Sequence, residues 1–136
     1  MNIYKHKVQY YETDKMGIVH HSNYIRWMEE ARIDFLAQLG WGFDKLEEMG
    51  IISPVSAVQC KYKASTRFPE MVEIQVEVVE FKGVKLKLRY EMRKADGQIA
   101  CEAYSEHGFL NEAGKIVSIK RECPELYEAL NALVKE

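Results

Sequence analysis

Only residues 22 to 39 carry apolar side chains at helical spacing over a long stretch, and that scarcity limits how this chain can build a core. Tyr24, Trp27, Met28, Ala31, Phe35 and Leu39 recur at intervals of three and four, as on one face of an α-helix. Ile25 and Leu36 widen the apolar surface beyond a single stripe, so the helix is expected to be covered on more than one side. Ser22 or Asn23 is placed to cap its start, and Gly40 to end it. A short second helix is expected from Phe43 to Met49, ended by Gly50.

Most of the remaining chain alternates between apolar and polar residues. A first strand is expected over residues 3 to 11, with Tyr4, Val8 and Tyr10 on one face and His6 interrupting that face. After Pro54, alternation runs loosely from Val55 to Ala64 and clearly through Val72, Ile74, Val76 and Val78. It slips at Val78-Val79, as a β-bulge would make it do, and Gly83 then marks a turn. Val84 to Arg93 is the cleanest period-two run, Asp96-Gly97 is a hairpin signal, and residues 98 to 110 form the next strand. Ala113-Gly114 gives another turn, and a helix is expected from Cys123 to Lys135 with Pro124 in its first turn. One strand, one long helix and a meander of strands make an α+β chain, not a βαβ one. The sheet needs cover for its apolar face, and only the long helix has the surface to supply it. The sheet should wrap that helix, and residues 1–136 should form a single domain.

Composition narrows the function. With 19 basic and 21 acidic residues and a net charge of −2, the chain lacks the basic excess of a nucleic-acid-binding domain. The N-terminus lacks the apolar core of a secretory signal, and no run is long enough to span a bilayer, so a cytoplasmic protein with no membrane insertion is expected. Cys60, Cys101 and Cys123 are odd in number and lack CxxC spacing, so free thiols are expected. There is no P-loop, no GxSxG elbow and no HExxH helix. His20 and His21 are adjacent and point differently, and His6 and His107 have no ligand spacing, so no metal site is expected.

The segment from Tyr10 to Tyr24 sets Asp14 beside the start of the long helix. A helix N-terminus offers unpaired N–H groups and partial positive charge, able to hold an anion or polarise a carbonyl oxygen. Its pattern, Tyr10-x-x-x-Asp14-x-x-Gly17-Ile18-Val19-x-His21-x-Asn23-Tyr24 followed by Trp27-Met28-Glu29-Glu30-Ala31-Arg32, resembles the signature of the 4-hydroxybenzoyl-CoA thioesterase family of hotdog-fold acyl-CoA thioesterases. It is most similar to the Tol-Pal-associated branch. The likeness continues through Tyr62-Lys63-Ala64-Ser65 and the Asp96-Gly97 hairpin, covering nearly the whole chain.

The resemblance implies a hotdog fold, about five antiparallel strands around one central helix, and hydrolysis of an acyl-CoA to a carboxylic acid and free coenzyme A without metal or cofactor. It places Asp14 as the catalytic carboxylate, attacking the carbonyl or activating water. His21 stands where the first helical turn offers a backbone N–H to the thioester oxygen, and its imidazole is a further candidate for orienting water or Asp14. Tyr10 maps to a tyrosine of the site, and Lys82 and Lys85 to basic side chains near the coenzyme A phosphates. Trp27, Met28, Phe35 and Leu39 read as core. A homodimer with a continuous sheet is implied, commonly paired into a tetramer, with sites at the interface. The rivals are a thioesterase acting on acyl carrier protein, a hydratase on the same fold, and a catalytically silent acyl-thioester binding module.

Overall fold

Trp27 and Ala31, on the helix face expected to be covered, are fully buried, and what covers them is a sheet. The computed structural model describes residues 2–134. Helix α1 spans Ser22–Gln38. Gly40, at φ +85°, ends the helix in the left-handed conformation that glycine adopts without strain, and Trp41 N–H closes back on Leu36 O at 2.9 Å. The short helix α2 follows at Phe43–Glu48. The strands are β1 (Tyr4–Lys7), β2 (Val55–Tyr62), β3 (Met71–Phe81), β4 (Leu86–Lys94) and β5 (Ile99–His107). They form one antiparallel sheet in the order β1-β3-β4-β5-β2. Among the described residues no helix is long and apolar enough to cross a membrane.

The alternation in sequence becomes two sheet faces. Val72, Ile74 and Val78 of β3, Leu88, Tyr90 and Met92 of β4, and Cys101 and Ala103 of β5 are buried with Trp27, Met28, Ala31 and Phe35 of α1. On the outer face Arg89 of β4 pairs with Glu91 at 3.2 Å and with Glu77 of β3 and Glu102 of β5, each at 3.8 Å. The ladder between β3 and β4 shifts register between Val78 and Glu80, the bulge that the sequence slip predicts. This is the hotdog arrangement, with α1 as the filling. Strand β2 lies at the sheet edge, and Val55, Val58 and Tyr62 leave large apolar side chains exposed there.

Three local expectations need correction. The first strand stops at Lys7, because Tyr10–Glu12 turn into a 3₁₀ segment and Tyr10 leaves the sheet. The N-cap of α1 is His21, with neither Ser22 nor Asn23 capping; Asn23 instead donates through Nδ2 to Glu12 O at 2.9 Å. The C-terminal helix is two pieces, α3 (Ile119–Glu122) and α4 (Pro124–Asn131), broken at Cys123 with φ −141° and ψ 72°. A residue before proline is pushed out of the helical region, so Pro124 starts one helix by ending another. Helix α4 stops at Asn131, short of the expected end, and Lys135 lies outside the described residues.

The early turn is imposed by Glu12, which is 4% exposed. Its carboxylate accepts the Gln9 N–H at 2.7 Å and the Trp27 indole N–H at 2.6 Å, and His6 Nε2 lies 2.9 Å away. The Glu12 carbonyl accepts the His20 N–H at 2.9 Å. Strand β1, the turn and α1 are thus tied to one residue. Burial pushes the Glu12 carboxyl pKa up, but the bonds from His6, Gln9 N–H and Trp27 outweigh it and the net shift is downward. A carboxylate with a lowered folded-state pKa adds stability above its unfolded value and loses it as pH falls through the folded value. Glu12→Gln should cost about 1.5–3 kcal/mol in urea denaturation at neutral pH, the range for hydrogen bonds to a charged group. The gap from wild type should narrow as pH falls below about 4, near the ordinary carboxylate pKa.

Candidate active site

Asp14 sits at the tip of a tight loop pinned at both ends. Asp14 N–H donates to Ile18 O at 2.8 Å, Gly17 N–H donates to Asp14 O at 3.0 Å, and Val19 N–H donates to Thr66 O at 2.9 Å. Gly17 adopts φ +77°, which a side chain would strain. Asp14 Oδ1 accepts the Met16 N–H at 2.8 Å, an Asx-type turn that fixes the half-buried carboxylate. Its second oxygen has no hydrogen-bond partner among the described residues.

The start of α1 faces the same loop. Ser22 N–H donates to His20 Nδ1 at 3.2 Å, Asn23 N–H to His20 O at 3.0 Å, and Tyr24 N–H to His21 O at 3.3 Å. The His21 N–H has no partner among the described residues. Asp14, His20, His21, Tyr24 and Tyr62 line a shared cleft of about 320 Å³. A cleft of about 760 Å³ adjoins Asp14 on another side, lined by Tyr11, Asp14, Arg26, Glu29 and Ile33. Asp14, with one carboxylate oxygen unpaired among the described residues, and His21, whose N–H is likewise unpaired, therefore line one cleft. The first can take a proton or attack carbon, and the second can stabilise negative charge on a carbonyl oxygen.

The other expected site residues are dispersed. The His21 ring stacks on His20 with centroids 4.3 Å apart and meets the edge of Tyr62 at 6.1 Å, and it makes no hydrogen bond among the described residues. Tyr10 is 77% exposed, packs edge-on against Phe68 at 5.9 Å, and lines neither cleft. Lys82 and Lys85 pair with Glu80 at 3.6 Å and Glu106 at 3.3 Å, at the Gly83 turn beyond the far end of β3. The 11 residues of β3 put that turn roughly 30 Å from the Asp14 loop.

Tyr62 had no role assigned from sequence. It donates through its hydroxyl to His21 O at 3.3 Å and packs on Tyr24 with centroids 5.3 Å apart. Burial, reinforced by Cys60, pushes its pKa up to about 12, so it remains a neutral donor. The signal was present in Tyr62-Lys63-Ala64-Ser65, but its position over the helix start follows from the pairing of β2 with β5.

The chain matches the thioesterase-like superfamily over residues 8–130. It superposes on a DHNA-CoA thioesterase from Staphylococcus aureus with TM-score 0.92 and 33% identity, over 96% of this chain and 88% of that one. A hypothetical protein from Aquifex aeolicus superposes with TM-score 0.88 and 35% identity, over 96% of this chain and 99% of that one. The acyl-CoA thioester hydrolase YbgC of Escherichia coli is 28% identical over 97 residues, 71% of this chain and 72% of its own length.

Gly17→Ala tests how tightly the loop holds Asp14. At φ +77° an alanine should cost about 1–2 kcal/mol, and its Cβ would also meet Arg67 Nη1 at 3.3 Å. Thermal melting should show the loss, since no other part of the loop relieves the strain.

Proposed function

Because this chain belongs to the thioesterase-like superfamily, we propose that it is an acyl-CoA thioesterase that cleaves the thioester to a carboxylic acid and free coenzyme A. The observation that carries the reading is that one cleft is lined by Asp14 and His21, whose second carboxylate oxygen and backbone N–H have no partner among the described residues. The names of the relatives from S. aureus and E. coli support the substrate class.

The thioester carbonyl points its oxygen at the His21 N–H, which strengthens its bond as negative charge builds there. Asp14 takes a proton from water, the hydroxide adds to the carbonyl carbon, and the tetrahedral intermediate collapses by breaking the C–S bond. The departing thiolate recovers the proton from Asp14. In the covalent variant the Asp14 carboxylate adds to that carbon, and the C–S bond breaks to give an Asp14–acyl anhydride and the coenzyme A thiolate. Water then opens the anhydride to the carboxylic acid and the Asp14 carboxylate, the remaining proton of the water going to the thiolate. Single turnover in ¹⁸O-water separates the two, since only the covalent route leaves label in Asp14. The His21 imidazole packs between His20 and Tyr62 and supports the helix start, so the backbone, not the ring, holds the oxyanion.

Arg26 is the cation of the larger cleft and the first choice for a coenzyme A phosphate. Lys82 and Lys85 reach a ligand at Asp14 only from another copy of the chain, whereas Tyr10, exposed four residues before Asp14, lies beside the same loop. The exposed edge of β2, with Val55, Val58 and Tyr62 uncovered, supports a homodimer with a sheet continuous through β2, and two such dimers give the expected tetramer.

Asp14→Asn should lower kcat for acyl-CoA hydrolysis by about 10²–10⁴ with the melting temperature unchanged within a few degrees. His21→Ala should lose less than about tenfold, because the backbone N–H survives; losses equal to those of Asp14→Asn would give the imidazole the leading role. Undiminished turnover by Asp14→Asn would end the thioesterase assignment. Sedimentation should find no stable species of a single chain's mass at micromolar concentration.

A further inference from the structure

Beneath the middle of α1, away from Asp14, lies a cluster of polar groups that the proposed reaction leaves unused. Arg32 is 5% exposed, yet its guanidinium makes no hydrogen bond or ion pair with any described residue. Its near neighbour is the Phe43 ring, whose centroid is 5.0 Å from Cζ. Arg32 lines a cavity of about 160 Å³ between α1 and strands β2, β4 and β5, together with Met28, Val58, Tyr90, Ser105 and His107. A buried charge without a partner is costly.

The rest of the cavity reinforces the imbalance. Tyr90 Oη lies 2.7 Å from Ser105 Oγ, which lies 2.6 Å from His107 Nε2, and His107 Nδ1 is buried without a partner. If Tyr90 donates to Ser105 and Ser105 to Nε2, every hydroxyl proton has an acceptor. The proton of the neutral ring then sits on Nδ1 as a spare donor. The reverse direction would strand the Tyr90 proton as well. Burial, followed by the nearby Arg32 charge, pushes the His107 pKa down to about 3, so Arg32 supplies the cavity's positive charge. The carboxylate that borders the cavity is Glu29, exposed at the rim and not ion-paired with Arg32.

The cavity is aligned with the active-site cleft. Tyr24, Met28 and Arg32 follow one another at four-residue intervals along α1, about 12 Å from first to last. Tyr62, Cys60 and Val58 run beside them on β2, and Cys60 Sγ meets Met28 Sδ at 3.6 Å. The cleft at Asp14 and the cavity at Arg32 share no lining residue, and the Met28–Cys60 contact stands between them, so an acyl chain that reaches the guanidinium displaces the flexible Met28 side chain. The space of about 160 Å³ opens to the surface between Ile25, Val55 and Val58, which are exposed at its rim.

We propose that this chamber receives the distal carboxylate of a carboxyacyl group, making Arg32 a specificity-determining residue for acyl thioesters that end in an acid. The inference rests on the thioesterase reading and names its substrate class.

The test compares octanoyl-CoA with suberoyl-CoA, equal in length and differing in the terminal carboxylate. Wild type should favour suberoyl-CoA in kcat/KM by roughly 10- to 100-fold, the scale of one charge-assisted hydrogen bond. Arg32→Met, similar in volume and freed of a buried charge, should melt no lower than wild type and lose that preference through KM, with octanoyl-CoA turnover within about twofold. Free suberate should raise the melting temperature of wild type but not of Arg32→Met. Equal turnover of the two thioesters by wild type would overturn the proposal, and suberate protection in that case would mark a site for free acids instead. Equal losses on both substrates in Arg32→Met, with a weakened dimer, would show that a partner's carboxylate fills the chamber and would also overturn it. If neither thioester is hydrolysed, the thioesterase reading fails, and suberate protection alone keeps or sinks the carboxylate chamber.

Discussion

The buried carboxylate of Glu12 is the interaction on which the working part of this molecule depends. It gathers the His6 ring, the Gln9 N–H and the Trp27 indole into one cluster, while its carbonyl holds His20. The cluster stops β1, reverses the chain, and sets the Asp14 loop against the start of α1. Inside a protein such bonds are strong because water does not compete, and leaving any of these donors unsatisfied would be correspondingly expensive. The Asp14 carboxylate two residues later is half-buried, in a loop whose place is set by the bonds of its neighbour.

Around that cluster the sheet and helix satisfy each other. Helix α1 has too much apolar surface for a surface helix, and the sheet has one apolar face with only one long helix to cover it. Wrapping buries both. The solution leaves β2 at an open edge with apolar side chains of Val55, Val58 and Tyr62 uncovered, the surface that the proposed homodimer would cover.

The two polar places along α1 follow different logic. At its start the helix provides a backbone donor and the loop a free carboxylate oxygen, an arrangement suited to charge that appears only during reaction. At its middle, Arg32 and the His107 imidazole form a preset excess of donors walled by apolar side chains, suited to charge a ligand brings with it. His21 and Arg32, 11 residues apart, set the two places about three turns from each other along one helix.

The sequence alone determined the long helix and its buried face, the bulge after Val78, the Asp96-Gly97 hairpin and the α+β order, because these are written in local periodicity and turn chemistry. It also brought Asp14 and the helix start together, since both lie within one short segment. It did not determine that Glu12 is the organising acid, that Tyr10 leaves the sheet, that Tyr62 covers the helix start, or that Arg32 lies buried without an ion pair among the described residues. Each of these depends on partners brought close only by folding. Glu12 meets Trp27 across 15 residues and Tyr62 meets His21 across 41, and a charged residue looks the same in sequence whether its neighbours neutralise it or not. Tertiary structure decided them because burial and hydrogen-bond satisfaction are properties of the assembled neighbourhood, which no spacing along the chain encodes.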